Sequence, residues 1–262
     1  MIARLADGSA GDADYGTIGD GYARYRQPDP RIAGIINGFL GGSEIVEVLN
    51  VGAGAGSYEP LDRHVTAIEP SASMRAQRPA HLSIAIDAVA ERMPFPSQHF
   101  DAAMATFTVH QWSDLQMGLR EMCRVTRGPI VIMTCDPGEL DRFWLNTYAP
   151  EVIATEARRY PSIRSIADAL RGDAHVVSVP IPLNCVDGFN EAYYGRPERL
   201  LEDGARLACS AWSFIDQSAV ERFVKHLRCD LEDGTWDAAY GHLRTQPEFE
   251  GSLKLIVSAK RP

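Results

Sequence analysis

Short apolar runs alternate with stretches of helical spacing along most of the chain. The runs that predict strands are 46–51, 65–69, 83–86, 101–106, 130–135, 174–179 and 253–259. Most are almost continuously apolar, which is typical of parallel strands covered on both faces. Between them, apolar residues recur every three or four positions and predict helices such as 71–77 and 114–126. This alternation predicts a doubly wound α/β sheet of seven strands.

The regular alternation stops after Cys135. Residues 138–172 and 187–250 are too long for simple connections and contain helical patterns and many aromatic residues. Long insertions of this kind shape a substrate pocket or lid, and the alternative is a set of helices that only cover the core. We expect a single domain with an N-terminal helical cap (1–42), a core (43–136), an insertion around the sixth strand (137–250) and a last strand (251–262).

The N-terminal cap is predicted to contain two helices. The first begins near Gly21, carries Tyr22, Tyr25 and Arg26, and is broken by Pro28 and Pro30. The second has apolar residues at helical spacing and ends at a pair of glycines; it comprises Ile32, Ile35, Ile36, Phe39 and Leu40, followed by Gly41 and Gly42.

Composition and charge narrow the possible partners. The chain has 262 residues, 45% of them hydrophobic, and a formal net charge of -9. No basic run exists, so the average field repels nucleic acid and anionic membranes, which favours a small-molecule partner. The five cysteines are an odd number without metal-ligand spacing, which is typical of reduced thiols in the cytoplasm. We expect a cytoplasmic protein, monomeric or homodimeric, without a membrane span or a resident metal.

The segment Val48–Ser57 carries the most specific chemistry. An apolar strand leads into Gly52, Gly54 and Gly56, and glycines let a turn bend sharply and let a ligand lie close to the backbone. A dinucleotide fingerprint has two residues before its third glycine, whereas here one intervenes. The turn therefore suits a ligand without a pyrophosphate, whose ribose and amino-acid tail cross the glycines. Glu69 ends the next strand, where a carboxylate can accept both ribose hydroxyls.

Three further segments follow this turn in a fixed order: AVAERMPFP at 88–96, FTVHQW at 107–112 and REMCRV at 120–125. With them, the sequence from Tyr22 to Asp136 resembles the class I S-adenosylmethionine-dependent methyltransferases. The similarity is to the group that methylates small molecules, including the ubiquinone-pathway and trans-aconitate enzymes. The resemblance implies a Rossmann-like, mostly parallel sheet whose final strand is antiparallel, S-adenosylmethionine as donor and S-adenosylhomocysteine as product.

The resemblance also implies roles for individual residues. The glycine turn would line the methionine and ribose parts of the donor, Glu69 would hold the ribose hydroxyls, and Met74 would lie under the adenine. Tyr22 and Arg26 match an N-terminal Tyr-x-x-x-Arg pattern that closes over the donor. The full set of expected donor-binding residues is Tyr22, Arg26, Gly52, Ala53, Gly54, Gly56, Glu69, Pro70, Met74, Ala90, Glu91 and Phe107.

Two positions depart from the family pattern. Asn50 stands where Asp is commoner at the end of the first strand, which weakens the attraction for the donor's ammonium group. Val89 stands where many members have an Asp that binds the adenine amino group. Asp87 or Glu91 can take over that role, so the adenine contact stays open between them.

Methyl transfer is an in-line displacement that needs alignment more than acid–base chemistry, and a general base helps only when the nucleophile carries a proton of high pKa. His110, just past the fourth predicted strand, is the candidate base; the alternative is that it packs or orients its loop. The candidate substrate residues are Trp112, Tyr194, Arg196 and His242. Trp112 has a packing alternative, and a helix cap or surface ion pair is the alternative for Tyr194 and Arg196.

The sequence predicts methyl transfer to a small organic acceptor, such as a secondary-metabolite precursor. Two alternatives stay open. The same fold can bind S-adenosylmethionine and catalyse a cyclisation or decarboxylation, or it can serve as a non-catalytic binding subunit. The glycine turn and Glu69 disfavour loss of donor binding, but neither feature distinguishes these reactions.

Overall fold

The structure, a computed structural model, describes residues 24–170 and 174–258. Tyr22 lies outside these residues. The strands are β1 (Glu47–Val51), β2 (His64–Ile68), β3 (Ala102–Thr106), β4 (Ile130–Cys135), β5 (Ala174–Ser178), β6 (Ile181–Pro182), β7 (Glu248–Phe249) and β8 (Leu253–Ser258).

Six of these strands form one sheet in the order β2-β1-β3-β4-β8-β5, and β6 pairs with β7 in a separate two-stranded sheet. The pairs β1–β2, β1–β3 and β3–β4 are parallel, whereas β8 is antiparallel to both β4 and β5. The predicted mostly parallel, Rossmann-like sheet with a final antiparallel strand is confirmed. Parallel strands place their carboxyl ends at one edge, and that edge carries the residues singled out from the sequence.

The predicted strand at 83–86 is reduced to a single parallel bridge between Ile86 and Ile68. Ile86 N–H donates to the Ala67 carbonyl at 2.8 Å, and the Ile86 carbonyl accepts from Glu69 N–H at 3.0 Å. The apolar run was misleading because Ile84 is 92% exposed at the sheet edge and gains no burial from pairing. The described part of the main sheet thus has six strands rather than seven.

The α-helices are α1 (Pro30–Leu40), α2 (Ala72–Ala76), α3 (Leu115–Val125), α4 (Leu145–Tyr148), α5 (Pro150–Arg159), α6 (Ile163–Ala169), α7 (Asp203–Leu207), α8 (Gln217–Glu232) and α9 (Thr235–Tyr240). Pro30 opens α1 instead of only breaking the preceding turn, because Asp29 caps the helix and proline fits its first position. None of the helices in the described ranges has the length and apolarity that crossing a membrane requires.

The sheet separates two hydrophobic cores, because successive strand residues point to opposite faces. Leu49, Ala103 and Ile132 pack with α3 and α6 on one face. Val48, Met104 and Met133 belong to the other core, which also contains α1 and the insertion helices. The insertion's tryptophans, Trp144, Trp212 and Trp236, are all buried in this second core, so they cover the sheet.

Candidate active site

The glycine turn follows β1 and has a backbone that side chains would obstruct. Gly52, Gly54 and Gly56 have φ angles of 66°, 52° and 96°, all in the left-handed region. A Cβ atom on Gly52 would lie 2.0 Å from Thr108 Oγ1, and one on Gly56 would lie 2.3 Å from a methyl carbon of Leu82. The turn therefore packs directly against the segment that follows β3.

Glu69 is buried at the end of β2 and faces the same turn. Its carboxylate accepts hydrogen bonds from Gly54 N–H and Ser71 N–H, each at 2.8 Å. Burial raises the pKa of Glu69, and the two N–H donors oppose that shift by stabilising the charged form. Because these bonds use one lone pair of each oxygen, the carboxylate retains acceptor capacity for a ligand.

Ser71 begins α2 by accepting from Met74 N–H, and this places the buried Met74 side chain beside the turn. The Met74 Cε atom would lie 3.2 Å from a Cβ atom on Gly54. Ala53 is also buried, and its N–H donates to the Ile68 carbonyl at 3.0 Å. Pro70 is exposed at the rim. These predicted donor-binding residues are thus gathered around one turn.

Asn50 is fully buried beneath the turn, and a second acid stands beside it. Asn50 Nδ2 donates to Glu59 Oε1 at 3.0 Å, and Glu59 forms a buried ion pair with Arg78 at 2.9 Å. Glu59 supplies a carboxylate close to the position where the family more often has Asp. Asn50 Oδ1 has no hydrogen-bond partner within the described residues. A buried acceptor under a glycine cradle fits a polar ligand that lies on the turn and donates a hydrogen bond.

The residues expected at the adenine edge occupy a neighbouring loop. Ala90 is buried, but the Glu91 carboxylate already accepts from Ser113 Oγ at 2.9 Å and Asp114 N–H at 3.0 Å. Asp87 is mostly exposed and pairs with Arg75 at 3.0 Å. The Glu91 side chain therefore holds the loop before α3.

Trp112 packs in the core beneath this loop. A Cβ atom on Gly118 would lie 2.5 Å from the Trp112 ring, and the ring is buried in the same core as Leu119. Contrary to its placement among the candidate substrate residues, Trp112 therefore takes the packing role that was its alternative.

Arg26 and Phe107 lie on the other side of the turn, where the N-terminal segment meets the insertion. Phe107 directly follows β3 with a φ of 51°, and its ring lies 5.3 Å from Phe189 and 5.0 Å from the Arg26 guanidinium carbon. Arg26 pairs with the buried Asp187 at 2.6 Å, and Tyr58 donates to the same carboxylate at 2.8 Å. These contacts fasten the N-terminal segment onto the insertion.

Several titratable side chains meet near the carboxyl ends of β3 and β4. The His110 and Tyr160 rings are 4.6 Å apart, and the Tyr160 side chain interacts with the Cys135 thiol at the end of β4. Asn190 Nδ2 donates to Glu156 Oε1 at 2.9 Å. We call this set the buried polar cluster; it comprises His110, Cys135, Glu156, Tyr160, Asn190 and Glu191.

Burial and mutual repulsion set the charges in the buried polar cluster. Burial, followed by repulsion from Glu191, raises the pKa of Glu156 from 4.5 to about 7. Burial also raises the pKa of Glu191, although Ser252 N–H and Oγ donate to its carboxylate. Burial and the cations Arg159 and Arg26 lower the pKa of His110 well below 6.5. At neutral pH His110 is therefore neutral, while Glu156 is poised between its two forms.

The pKa values of His110 and Glu156 bear on which side chain suits the role of a base. His110 is 5% exposed, and its Nδ1 atom has no hydrogen-bond partner in the described part of the chain. An imidazole with so low a pKa is a weak base at neutral pH, whereas a carboxylate titrating near 7 is matched to that pH. Sequence reasoning missed Glu156 and Tyr160. Their signal in the sequence is a spacing of four positions, which places both residues on the face of α5 that also carries the buried Val152 and Ile153.

Three candidate substrate residues have other roles or lie elsewhere. The Tyr194 hydroxyl donates to the Gln246 carbonyl at 2.6 Å, so the buried side chain already uses its polar atom. Arg196 donates to the carbonyls of Cys185 and Ala192 at 2.7 and 2.9 Å, which ties two loop segments together. His242 is exposed, and no described contact joins it to the buried polar cluster.

Within residues 24–170 and 174–258, one group of side chains has the spacing of a metal site. It comprises Cys229, Asp230 and Asp233, whose ligand atoms lie within 4.8 Å of one another. The group is largely exposed near the end of α8, and none of its members belongs to the buried polar cluster.

Comparison with known proteins finds similarity to methyltransferases. The profile of a family described as a methyltransferase domain matches residues 49–129. A putative methyltransferase from an antibiotic biosynthesis pathway of Anabaena variabilis is 27% identical, with a TM-score of 0.84, and the match covers 90% of this chain and 99% of that one. No curated protein matches the chain.

Two more distant structures share the fold. A possible histamine N-methyltransferase from Thermotoga maritima is 14% identical, with a TM-score of 0.52 over 94% of this chain and 93% of that one. Geranyl diphosphate C-methyltransferase from Streptomyces coelicolor is 14% identical, with a TM-score of 0.50 over 87% and 78%. Residues 49–129 therefore match a methyltransferase domain, and the chain has the fold that S-adenosylmethionine-dependent methyltransferases share. S-adenosylmethionine is the methyl donor that such a domain uses.

Proposed function

We propose that the protein transfers a methyl group from S-adenosylmethionine to a small organic acceptor, such as a secondary-metabolite precursor. The observation that carries this proposal is the direct packing of the glycine turn against Thr108, which joins the donor side to the buried polar cluster. The proposed donor seat and the buried polar cluster are then neighbours across one backbone segment. Aligning donor and acceptor in such a site is worth about 7–11 kcal/mol of the barrier.

We assign the donor seat residue by residue as part of the same proposal. The methionine and ribose portions lie along the backbone from Gly52 to Gly56. Glu69 accepts both ribose hydroxyls with its remaining lone pairs, and Met74 lies against the adenine. Asn50 Oδ1 is a hydrogen-bond acceptor without a partner in the described residues, which supports placing an N–H group of the amino-acid end of S-adenosylmethionine beside it. Phe107 and Arg26 flank the transferable methyl, whereas Pro70, Ala90 and Glu91 border the adenine.

The acceptor is assigned as a small molecule for three reasons. The net charge of -9 repels nucleic acid. Burial is the largest influence on the pKa values of Glu156 and Glu191, so the buried polar cluster lies inside the fold rather than on an exposed surface. Among the related structures, one protein comes from an antibiotic biosynthesis pathway and another has geranyl diphosphate as its substrate. These features support a metabolite rather than a macromolecule.

Calorimetric titration with S-adenosylmethionine tests the donor site. We expect binding to the wild type and at least a 100-fold loss in Glu69→Ala, because two hydrogen bonds to a charged acceptor contribute about 1.5–3 kcal/mol each. Glu221→Ala is the matched control, since Glu221 is an exposed residue of α8. Absence of binding by the wild type at millimolar donor would refute the proposed function.

A second measurement separates methyl transfer from the other reactions of this fold. The protein is incubated with S-adenosylmethionine and a panel of small acceptors, and mass spectrometry follows the gain of one methyl group and the release of S-adenosylhomocysteine. Methylated acceptor and S-adenosylhomocysteine should accumulate in equal amounts. An acceptor that is converted without gaining a methyl group would instead indicate a non-methylating enzyme.

A further inference from the structure

Glu156 is held in a fixed orientation with one carboxylate oxygen unused. Trp212 Nε1 donates to Asn190 Oδ1 at 3.0 Å, so the amide nitrogen of Asn190 must point away from Trp212. That nitrogen donates to Glu156 Oε1 at 2.9 Å. Within the described residues, Glu156 Oε2 has no hydrogen-bond partner, and Glu156 is only half-buried. Glu156 Oε2 therefore keeps its capacity to accept a hydrogen bond from a ligand.

A few neighbouring residues separate Glu156 from the proposed donor seat. Glu156 and Tyr160 are four residues apart at the end of α5, the Tyr160 ring packs against His110, and His110 lies two residues from Thr108. Thr108 in turn packs against Gly52 of the glycine turn. Thr108, His110 and Tyr160 therefore link the glycine turn to the end of α5, where Glu156 lies.

The charged groups around Glu156 come from several elements. Glu191 repels its charge, while Arg159 and Arg26 attract it, and Asn190 donates to it. Burial is the largest influence and opposes ionisation. Tyr160 and Cys135 also face this group, and burial raises the pKa of both, so they stay neutral. Glu156 is therefore the member of the cluster that exchanges a proton near neutral pH.

We propose that Glu156 is the acceptor-binding base of this enzyme and that the acceptor is a small aromatic molecule whose nucleophilic atom carries a proton, a phenol or an aromatic amine. This inference rests on the proposed function. Glu156 Oε2 accepts a hydrogen bond from the O–H or N–H of the acceptor molecule. This bond orients the lone pair of that oxygen or nitrogen toward the methyl group of S-adenosylmethionine. The rings of Phe107, Tyr160 and Phe189 provide apolar walls that suit an aromatic body.

The step balances without a further reactant. The lone pair of the acceptor's oxygen or nitrogen forms a bond to the methyl carbon of S-adenosylmethionine. The bond between that carbon and sulfur breaks, and its electron pair stays on sulfur, which loses its positive charge. The acceptor's proton passes to Glu156 Oε2 and leaves to solvent afterwards. A phenol or aromatic amine fits this base, because its proton becomes far more acidic as the new bond forms.

The geometry makes Glu156→Gln a sharp test. Asn190 can donate only to the carbonyl oxygen of the substituted side chain, so its amide nitrogen must take the place of the free Oε2. The substitution thus replaces a hydrogen-bond acceptor with a hydrogen-bond donor in a side chain of the same shape. The matched control is Glu151→Gln on the same helix, where Glu151 forms an exposed ion pair with Arg222.

The binding experiment uses wild type and both variants saturated with S-adenosylhomocysteine at pH 8, titrated calorimetrically with three probes. 4-Chlorophenol and 4-chloroaniline are uncharged at this pH and carry the proposed hydrogen-bond donor, whereas 4-chlorotoluene has a similar shape without it. We expect at least one of the two hydrogen-bond donors to bind the wild type and Glu151→Gln about tenfold or more tightly than 4-chlorotoluene, and this advantage to vanish in Glu156→Gln. An advantage that is missing from the wild type, or that survives in Glu156→Gln, would overturn the inference.

A second readout follows the carboxyl group itself. Carbon-13 spectra of protein labelled at glutamate carboxyls should contain one resonance that titrates near pH 7 and is missing from Glu156→Gln but present in Glu151→Gln. If the missing resonance instead titrates near 4.5, the base assignment fails. Failure of the wild type to bind S-adenosylhomocysteine would refute the proposed function as well, whereas normal binding with no donor preference would refute only the role of Glu156.

Discussion

Replacing Glu156 by glutamine should stabilise the fold at alkaline pH and leave it unchanged at acid pH. The folded protein raises the pKa of this carboxyl from 4.5 to about 7. A group whose pKa is raised on folding contributes its full stability below the unfolded value and loses it as the pH rises through the folded value. The wild type should therefore lose stability from this one group between about pH 4.5 and 8.

The size of the effect follows from the shift. A change of about 2.5 pH units corresponds to about 3 kcal/mol at 1.36 kcal/mol per unit, and this is an upper bound. Glutamine has the same shape and keeps the hydrogen bond from Asn190, so packing changes little. The unionised amide does not carry the cost of burying a charge. The variant should therefore exceed the wild type by up to about 3 kcal/mol above pH 8 and match it at pH 4.5.

Urea unfolding at several pH values measures this difference directly. Groups common to both proteins cancel in the difference between the two unfolding free energies, which isolates the one carboxyl. The Glu151→Gln protein is measured in parallel, and its difference from the wild type should stay within about 0.5 kcal/mol at every pH. A constant difference between wild type and Glu156→Gln from pH 4.5 to 8.5 would show that Glu156 ionises normally and would refute the reasoning.

Two further substitutions test the turn and its attachment to the insertion. Gly52→Ala should lower the urea midpoint by the equivalent of about 2–4 kcal/mol, because it combines a left-handed φ with a side-chain oxygen 2.0 Å from the new Cβ. Gly34→Ala, at an open position of α1, should instead stabilise by about 0.5–1 kcal/mol. Tyr58→Phe should cost about 1.5–3 kcal/mol in the same assay, since it removes a buried donor to the Asp187 carboxylate. Tyr240→Phe, which loses a hydrogen bond at the surface, should change the midpoint little.

The grouping of the proposed donor-binding residues could be predicted because its signals are local in sequence. The glycine turn needs left-handed φ angles within one short segment, and Glu69 ends the next strand along the chain. Strand ends of a parallel sheet meet at one edge, so spacing alone predicts that these residues are neighbours. The run at 83–86 shows the limit of the same logic. Its residues are apolar, yet Ile84 lies exposed at the edge, and only tertiary contacts decide whether such a run becomes a strand.

The acceptor half could not be predicted in this way because its members come from distant parts of the chain. Glu156 lies between the fifth and sixth predicted strands, whereas its partner Asn190 begins a short 3-10 helix, Asn190–Tyr193, in the later stretch 187–250. Nothing in either segment indicates the other. Tyr194 was selected from the same stretch as Asn190, but its hydroxyl bonds to a backbone carbonyl. Aromatic and polar composition drew attention to the insertion without distinguishing residues that pack in the core from members of the buried polar cluster.

One buried carboxylate joins the two halves. Asp187 accepts from Arg26 of the N-terminal segment at 2.6 Å and from Tyr58, two residues past the glycine turn, at 2.8 Å. Phe189 lies two residues after Asp187, and the Arg26 guanidinium packs on the Phe107 ring, which contacts Phe189. Loss of the Asp187 charge would break a buried ion pair beside the Phe107 ring, and breaking a buried ion pair is costly. We therefore expect a substitution at Asp187 to disturb the proposed donor seat and the buried polar cluster together, whereas a substitution at Glu156 changes the cluster alone. That contrast distinguishes a residue that assembles the proposed site from the residue proposed to accept the acceptor's proton.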